Sequence, residues 1–113
     1  MYLALREILK PYQHDLAVKI DKPGHFSLET RSLSLNGRRL FFAAAKIKKR
    51  YVSYYLPPLY MFPELSSRIS PALRKTMQGE SCFNFTAVDL DSVQELEKLT
   101  QAGFFALKSK SLL

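Results

Sequence analysis

Aromatic residues and prolines concentrate in one segment of this 113-residue chain, from Tyr51 to Phe62. Aromatic rings bury large areas, and tyrosine hydroxyls supply polar tips that orient a ligand. We interpret this segment as one wall of a pocket between the Pro57-Pro58 corner and the Gly79 to Phe85 segment. The alternative is that alternate members, Tyr54 among them, are core residues. The residues expected near the mouth of the pocket are Tyr55, Tyr60, Gln78, Ser81 and Cys82.

Basic side chains form a second group with chemical potential. The segment from Thr30 to Pro63 has no Asp or Glu and holds 7 of the 17 Lys and Arg residues, so it accounts for the whole net charge of +7. Such a patch attracts phosphate groups, and nucleic acid among them. Alternatively, the charges keep a hairpin tip in solvent and protect strand edges from pairing. The cations predicted to contact nucleic acid weakly are Arg38, Arg39, Lys46, Lys48, Lys49 and Arg50.

Catalytic and metal-binding patterns are not indicated. Cys82 is the single cysteine, and neither His14 nor His25 lies near it in the sequence. A nucleophilic thiol needs a neighbouring base, and a zinc site needs three or four ligands at suitable spacing. We therefore expect no enzyme activity, no metal and no cofactor. Since one cysteine cannot form an internal disulfide, we expect no disulfide scaffold either.

The elements that must position these residues begin with an amphipathic helix from Tyr2, which ends near Pro11. A short extended piece around Val18 and a Pro23-Gly24 turn follow. A half-buried strand then shows alternating Phe26, Leu28 and Thr30. Asn36-Gly37 is typical of a type I′ turn. It predicts a hairpin to a strand from Arg39 to Ile47, and a third strand from Tyr51 to Leu56 completes an antiparallel meander.

The second half of the chain alternates between helix and strand patterns. Ser70-Pro71 is a helix start, and Gly79 is expected at that helix's C-terminus. Cys82 to Phe85 alternates as a fourth strand. Asp89 or Asp91 caps a final helix that Gly103 interrupts, and residues 109–113 are expected to fray. The fold class predicted is α+β, with one mainly antiparallel sheet and N- and C-terminal helices packed on it.

The middle strand of the meander is apolar on both sides. Strict alternation sets Phe41, Ala43, Ala45 and Ile47 on one side and Leu40, Phe42 and Ala44 on the other. Either both sides are covered, by helices or by a second subunit, or one side is an exposed patch. A homodimer is therefore one expectation.

Length and hydropathy favour one domain spanning residues 1–113 in the cytoplasm. Arg6, Glu7 and Lys10 interrupt the first apolar residues, which is untypical of a secretion signal. The apolar runs are much shorter than the ~20 residues of a membrane span, so no membrane association is expected.

Three segments carry a family resemblance: Tyr51-Val-Ser-Tyr-Tyr-Leu-Pro-Pro-Leu-Tyr60, Ile69-Ser-Pro-Ala-Leu73 and Met77-Gln-Gly-Glu-Ser-Cys-Phe-Asn-Phe85. Together they resemble the YdhG-like family of small bacterial domains of unknown function. The resemblance implies an α+β fold with one mainly antiparallel sheet. One member of the wider family is described as a frataxin-like iron chaperone. Iron prefers clustered oxygen and nitrogen ligands, and we assign no residue of this chain to it.

Three functions follow in order. The first is binding of an unidentified small molecule or protein partner through the aromatic and proline-rich surface, without catalysis. The alternative is weak binding of nucleic acid through the basic hairpin. The third is a frataxin-like iron carrier.

Overall fold

The computed structural model describes residues 1–33 and 37–113, in which helices flank one antiparallel sheet. The helices are α1 (Tyr2–Leu9), α2 (Pro58–Met61), α3 (Pro63–Ser66), α4 (Pro71–Arg74) and α5 (Leu90–Ser109), with a 3₁₀ turn over Lys10–His14. The strands are β1 (Ala17–Lys22), β2 (His25–Glu29), β3 (Phe41–Ile47), β4 (Val52–Tyr55), β5 (Met77–Gln78) and β6 (Cys82–Phe85). No helix within these described ranges is long and apolar enough to cross a membrane.

The α+β class and the antiparallel sheet are confirmed, but the sheet has six described strands where four were predicted. Their order is β1-β2-β3-β4-β6-β5, so the predicted meander β2-β3-β4 lies at the centre. β1 adds to β2 through the turn at Gly24, whose positive φ of 78° glycine adopts without strain. The Gly24 carbonyl also accepts a hydrogen bond from the Ile47 amide at 2.7 Å, which ties this turn to the end of β3.

The hairpin of β5 and β6 replaces a predicted helix end. α4 stops at Arg74, and Met77 pairs with Phe83 across the hairpin. Gly79 has a φ of 76° in the turn between the two strands. The expectation that Gly79 ends a helix was wrong, because the positive φ it supplies serves a strand-to-strand turn.

The connection from β2 to β3 is longer than a two-residue hairpin. β2 ends at Glu29 and β3 begins at Phe41, and the Thr30 amide donates to the Leu40 carbonyl at 2.8 Å to close the loop. The Leu40 amide in turn donates to the Thr30 hydroxyl at 2.9 Å. Asn36 of the predicted type I′ turn lies outside the described residues.

Helices α1 and α5 pack on one side of the sheet, which we call the inner face. The Tyr54 hydroxyl lies 2.6 Å from the Thr100 hydroxyl of α5, and both groups are buried. The Arg6 guanidinium of α1 lies 4.9 Å from the centre of the Phe26 ring. The inner face therefore holds the core. Its fully buried strand residues are Phe26, Leu28, Ala43, Ala45, Tyr54 and Phe83.

Helix α5 runs unbroken through Gly103, so the predicted interruption was wrong. A Cβ atom at Gly103 would lie 2.9 Å from the Pro58 Cβ atom. Because glycine has no side chain, it lets α5 approach α2 closely. The predicted helix starts are confirmed, since the Ser70 side chain accepts from the Leu73 amide and Asp89 accepts from the Ser92 amide, each at 3.1 Å.

A β-bulge overturns the strict alternation predicted for β3. Leu28 pairs with Ala43 while Glu29 pairs with Phe41, so one residue of β3 is skipped. Phe42 therefore turns to the inner face, where its ring lies 6.1 Å from that of Phe104. Phe41 turns to the opposite side and is 39% exposed. Phe41 and Ala43 thus do not share a face, contrary to the prediction.

The chain ends with a turn after α5. The Leu112 amide donates to the Leu107 carbonyl at 2.9 Å, and Leu112 and Leu113 are half-buried against the core. The predicted fraying of residues 109–113 stays a prediction.

Candidate ligand-binding site

The side of the sheet away from α1 and α5, which we call the outer face, gathers side chains from several strands. Strand pairing aligns them in two rows that run across the sheet. The first row is Ser27, Ala44, Tyr55, Cys82 and Gln78. The second row is His25, Lys46, Ser53 and Asn84.

A depression of about 290 Å³ lies in this face. Its floor is formed by the small side chains of Ser27 and Ala44, and Ala44 is only 1% exposed although it points outwards. Larger neighbours rise around the floor, which is why the surface is concave there. The lining residues are Lys19, Ile20, His25, Ser27, Phe41, Ala44, Lys46 and Tyr55.

One wall of the depression is aromatic. The rings of Phe41 and Tyr55 have centroids 6.3 Å apart at an interplanar angle of 46°. The bulge in β3 brings Phe41 to this side, so the wall depends on a local break in alternation. Paired rings of this kind offer an apolar edge against which a ligand ring can pack.

Cationic groups surround the aromatic wall. Lys19, His25 and Lys46 line the depression, and the Lys48 ammonium lies 5.3 Å from the centre of the Tyr55 ring. The lining residues, all of which are among those described, include no Asp or Glu. The local potential is therefore positive, which favours an anion.

The protonation state of His25 follows from this setting. Partial burial is the main cause that lowers the pKa of His25, and the positive charges of Lys46 and Lys22 lower it further. His25 is consequently neutral at pH 7, where its ring nitrogens act as one donor and one acceptor. An anion bound beside it would favour the protonated form.

Polar side chains of β4, β5 and β6 form a network next to the depression. The Ser53 hydroxyl donates to Asn84 Oδ1 at 2.6 Å, and Asn84 Nδ2 donates to Gln78 Oε1 at 2.8 Å. The Cys82 thiol contacts the same Asn84 oxygen at 3.5 Å. Burial is the main cause that raises the pKa of Cys82, so the thiol stays protonated at neutral pH. This network fixes the side chains beside Tyr55.

The predicted pocket residues divide between two places. Tyr55, Cys82 and Gln78 are neighbours in the first row of the outer face. Tyr60 instead lines a separate cavity of about 530 Å³, and the Ser81 carbonyl accepts from the Leu56 amide at 2.8 Å. That cavity lies where the pocket was expected, between the proline corner and the β5–β6 turn. Its lining residues are Leu59, Tyr60, Pro63, Ser66, Arg74, Met77, Gly79 and Glu80.

The predicted cations divide in a similar way. Lys46 and Lys48 lie on the outer face, and Lys49 and Arg50 are exposed in the turn that follows β3. Arg38 and Arg39 precede the other end of β3, roughly 20 Å away by the usual rise of a strand. Arg39 Nη1 lies 3.3 Å from Glu29 Oε1, so its charge is partly neutralised. The basic residues therefore do not form one patch.

Several lining residues were missed by the sequence reasoning. Ser27 and Ala44 are small residues at the centre of strands, and His25 was weighed only as a metal ligand. The alternation of Ser27 with Phe26 and Leu28 placed it opposite the core, which was the available signal. Within the described part of the chain, no three His, Cys, Asp or Glu side chains come close enough to hold a metal ion.

Comparison with protein-family models, with curated proteins and with solved structures gives no match to this chain. Its resemblance to the YdhG-like family accordingly stays a prediction.

Proposed function

We propose that this chain is a binding domain whose outer face holds a small anionic ligand with a planar, apolar part. The observation that carries the proposal is the depression itself. It combines a floor of small side chains, a wall formed by Phe41 and Tyr55, and amines at its margin.

The cations support an anionic group on the ligand. Lys19 and Lys46 both line the depression, and their ammonium groups form charge-assisted hydrogen bonds with carboxylate, sulfonate or phosphate oxygens. Hydrogen bonds of this kind are stronger than those between neutral groups. An anion bound between them would also balance charge that the sheet leaves uncompensated.

The shape of the depression supports a flat apolar part. Its floor is a pleated backbone that carries only Ser27 and Ala44 side chains, so a ring can lie close to the sheet. The volume of about 290 Å³ falls near the lower end of the usual range for small-molecule sites. One or two fused rings with an acidic substituent would suit it.

The nearby thiol supports binding over covalent chemistry. Cys82 lies in the same row as Tyr55, but burial raises its pKa and it contacts Asn84. A protonated thiol is a poor nucleophile. Cys82 is therefore interpreted as a packing residue beside the site.

Two fluorescent probes test this proposal. 8-Anilinonaphthalene-1-sulfonate carries an aromatic system and an anion, while N-phenyl-1-naphthylamine carries the same rings without the charge. We expect tighter binding of the sulfonate. Replacing Lys46 by Gln should weaken sulfonate binding roughly threefold to tenfold, about 1 kcal/mol, and should leave the neutral probe unchanged.

Matched variants separate the depression from the rest of the surface. Tyr55→Ala should weaken both probes, because it removes half of the aromatic wall. Tyr60→Ala and Lys108→Gln change exposed residues elsewhere and should alter neither affinity. Equal binding of the two probes, or equal effects of Tyr55→Ala and Tyr60→Ala, would contradict the proposal.

Single-stranded nucleic acid is a second candidate for the same face. Lys49 and Arg50 continue the line of cations from Lys48 into the turn, and stacking of bases on exposed rings is a common mode of single-strand binding. Fluorescein-labelled oligothymidylate should then bind with an affinity that falls steeply with salt. Displacement of the sulfonate probe by this oligonucleotide at low salt would favour the candidate, and undetectable binding at low salt would remove it.

The predicted homodimer is a proposal for another surface. Two copies that met through their outer faces would bring like charges together around Lys46 and Lys48, which opposes association. Sedimentation at micromolar concentration tests self-association, and we expect the oligomeric state to be unchanged by Tyr55→Ala.

A further inference from the structure

A second concave surface lies at the end of the sheet, on its inner face. It is a groove of about 330 Å³, which we call the end groove. Strand pairing aligns Ile47, Val52 and Phe85 along it, from β3 through β4 to β6. The residues that line it are Met1, Ile47, Lys48, Arg50, Tyr51, Val52, Phe85, Thr86, Ala87 and Val88.

The end groove exposes apolar surface at the point where the core stops. Phe85 is buried in its floor, while Ile47 is 52% exposed and Val88 is 66% exposed at its sides. Val52 is half-buried between them. Contiguous apolar surface of this kind is typical of a protein-binding site, because a partner removes it from water.

Charge at the margin of the end groove is all of one sign. Lys48 and Arg50 are among the lining residues, and the exposed Lys49 lies between them in the turn. Lys48 is held near the Tyr51 and Tyr55 rings, so Arg50 is the cation most available to a partner. The described residues that line the groove include no Asp or Glu. A partner with carboxylates is complementary to this margin.

We propose that the end groove binds an acidic segment of a partner protein that presents aliphatic side chains. An aliphatic side chain lies over Phe85, between Ile47 and Val88, and carboxylates of the segment approach Arg50. A second copy of this chain is a poorer occupant, because the chain carries a net charge of +7. The groove is distinct from the depression, which lies on the opposite face of the sheet.

Three synthetic peptides test the chemistry of the occupant. The probe is a short fluorescein-labelled peptide of Asp, Glu and Leu. One control replaces each Leu by Ser and keeps the charge, and the other replaces each acidic residue by Lys and keeps the apolar content. Fluorescence anisotropy should show binding of the probe and at least roughly tenfold weaker binding of both controls, about 1.4 kcal/mol. Equal binding of the Ser control would overturn the proposal, since charge alone would then suffice.

Two exposed positions test the location. Val88→Ser should weaken the probe roughly threefold to tenfold by removing apolar contact, and Arg50→Gln should weaken it roughly threefold by removing one charge at the margin. Leu33→Ser and Arg68→Gln are matched controls, because both residues are exposed and lie outside the groove. Binding that Val88→Ser and Arg50→Gln leave unchanged, or undetectable binding of the probe to the parent chain, would overturn the proposal.

Nuclear magnetic resonance separates this site from the depression. Titration with the acidic peptide should shift the amide signals of Ile47, Val52 and Val88 and leave those of Ser27 and Ala44 in place. The variant Tyr55→Ala should retain peptide binding, so failure at one face does not imply failure at the other. Binding of anionic phospholipid vesicles in preference to the peptide, with the same amide shifts, would reject a protein partner in favour of a membrane surface.

Discussion

The Lys48 ammonium lies 5.3 Å from the centre of the Tyr55 ring, on the side of the sheet away from the long helices. Lys48 belongs to the turn after β3, and it reaches along β4 past Ser53, whose small side chain leaves room for it. A hydrogen bond with Tyr55 is the main cause that raises the pKa of Lys48, so its charge persists at neutral pH. The cation and the aromatic wall therefore form one surface.

Filling the floor of the depression should abolish binding while the fold survives. Ala44 points outwards into the open depression, so an Ala44→Leu side chain has space above the sheet. We expect the affinity for the sulfonate probe to fall by roughly tenfold or more, about 1.4 kcal/mol, with a change in unfolding free energy within about 1 kcal/mol. Probe fluorescence and urea unfolding of the same variant measure both. Retained affinity in a folded Ala44→Leu chain would argue that the ligand binds elsewhere.

Anion affinity should rise as the pH falls from 7 to 5. The pKa of His25 is lowered by burial and by Lys46 and Lys22, so His25 gains its charge only below its ordinary range. That added charge attracts the sulfonate, which does not titrate there. The rise should disappear in His25→Gln and persist in His14→Gln. A parallel pH profile in the parent chain and His25→Gln would contradict the assignment.

The same group sets a direction for stability. Because the unfolded chain binds the proton at His25 more readily than the folded chain, folding is favoured at high pH. Stability should be fully present above a pH of about 6.5 and should decline as the pH falls below that ordinary histidine pKa. Thermal unfolding of His25→Gln should show a shallower decline between pH 7 and pH 5 than the parent chain.

Gly103→Ala should destabilise the fold although alanine favours helices. The new Cβ atom would meet the Pro58 Cβ atom at 2.9 Å, and overpacking of this kind costs about 1–3 kcal/mol, more than the ~1 kcal/mol gained from helix propensity. Gln101→Ala, at an exposed position of the same helix, is the control and should change stability by about 0.5 kcal/mol or less. Urea unfolding measures both, and a Gly103→Ala chain more stable than its parent would refute the close approach of α5 to α2.

Removing the buried hydroxyl of Tyr54 should also be costly. The hydroxyl lies 2.6 Å from that of Thr100, and Tyr54→Phe leaves the Thr100 group without this partner, at a cost of about 1–3 kcal/mol. Adding Thr100→Val removes the orphaned group, so the double variant should lose less than the sum of the single variants. Tyr60→Phe changes an exposed tyrosine and should have no effect on urea unfolding. Strict additivity would show that the two hydroxyls do not interact.

Much of the sheet follows from short-range pattern. The alternation of Phe26 with Ser27 and of Tyr54 with Tyr55 predicted which side chains enter the core. The helix starts at Ser70 and Asp89 were predictable, because capping is a local interaction.

What the sequence did not reveal depends on contacts between distant elements. The bulge at Phe41 and Phe42 arises from pairing with β2, and Gly103 remains helical because it packs on Pro58. The depression needs residues from β1 to β4 in a particular register, and a register shift by one residue would reverse every side chain. Tyr55 and Lys46 could therefore be singled out by type, but not the floor between them.

Mapping the bound sulfonate probe by nuclear magnetic resonance tests the outer face most directly. The account predicts the largest amide shifts at Ser27, Ala44, Lys46 and Tyr55, with intermolecular contacts from the probe rings to Phe41. Shifts concentrated instead around Tyr60 and Arg74, or along the end groove at Val52 and Val88, would contradict it.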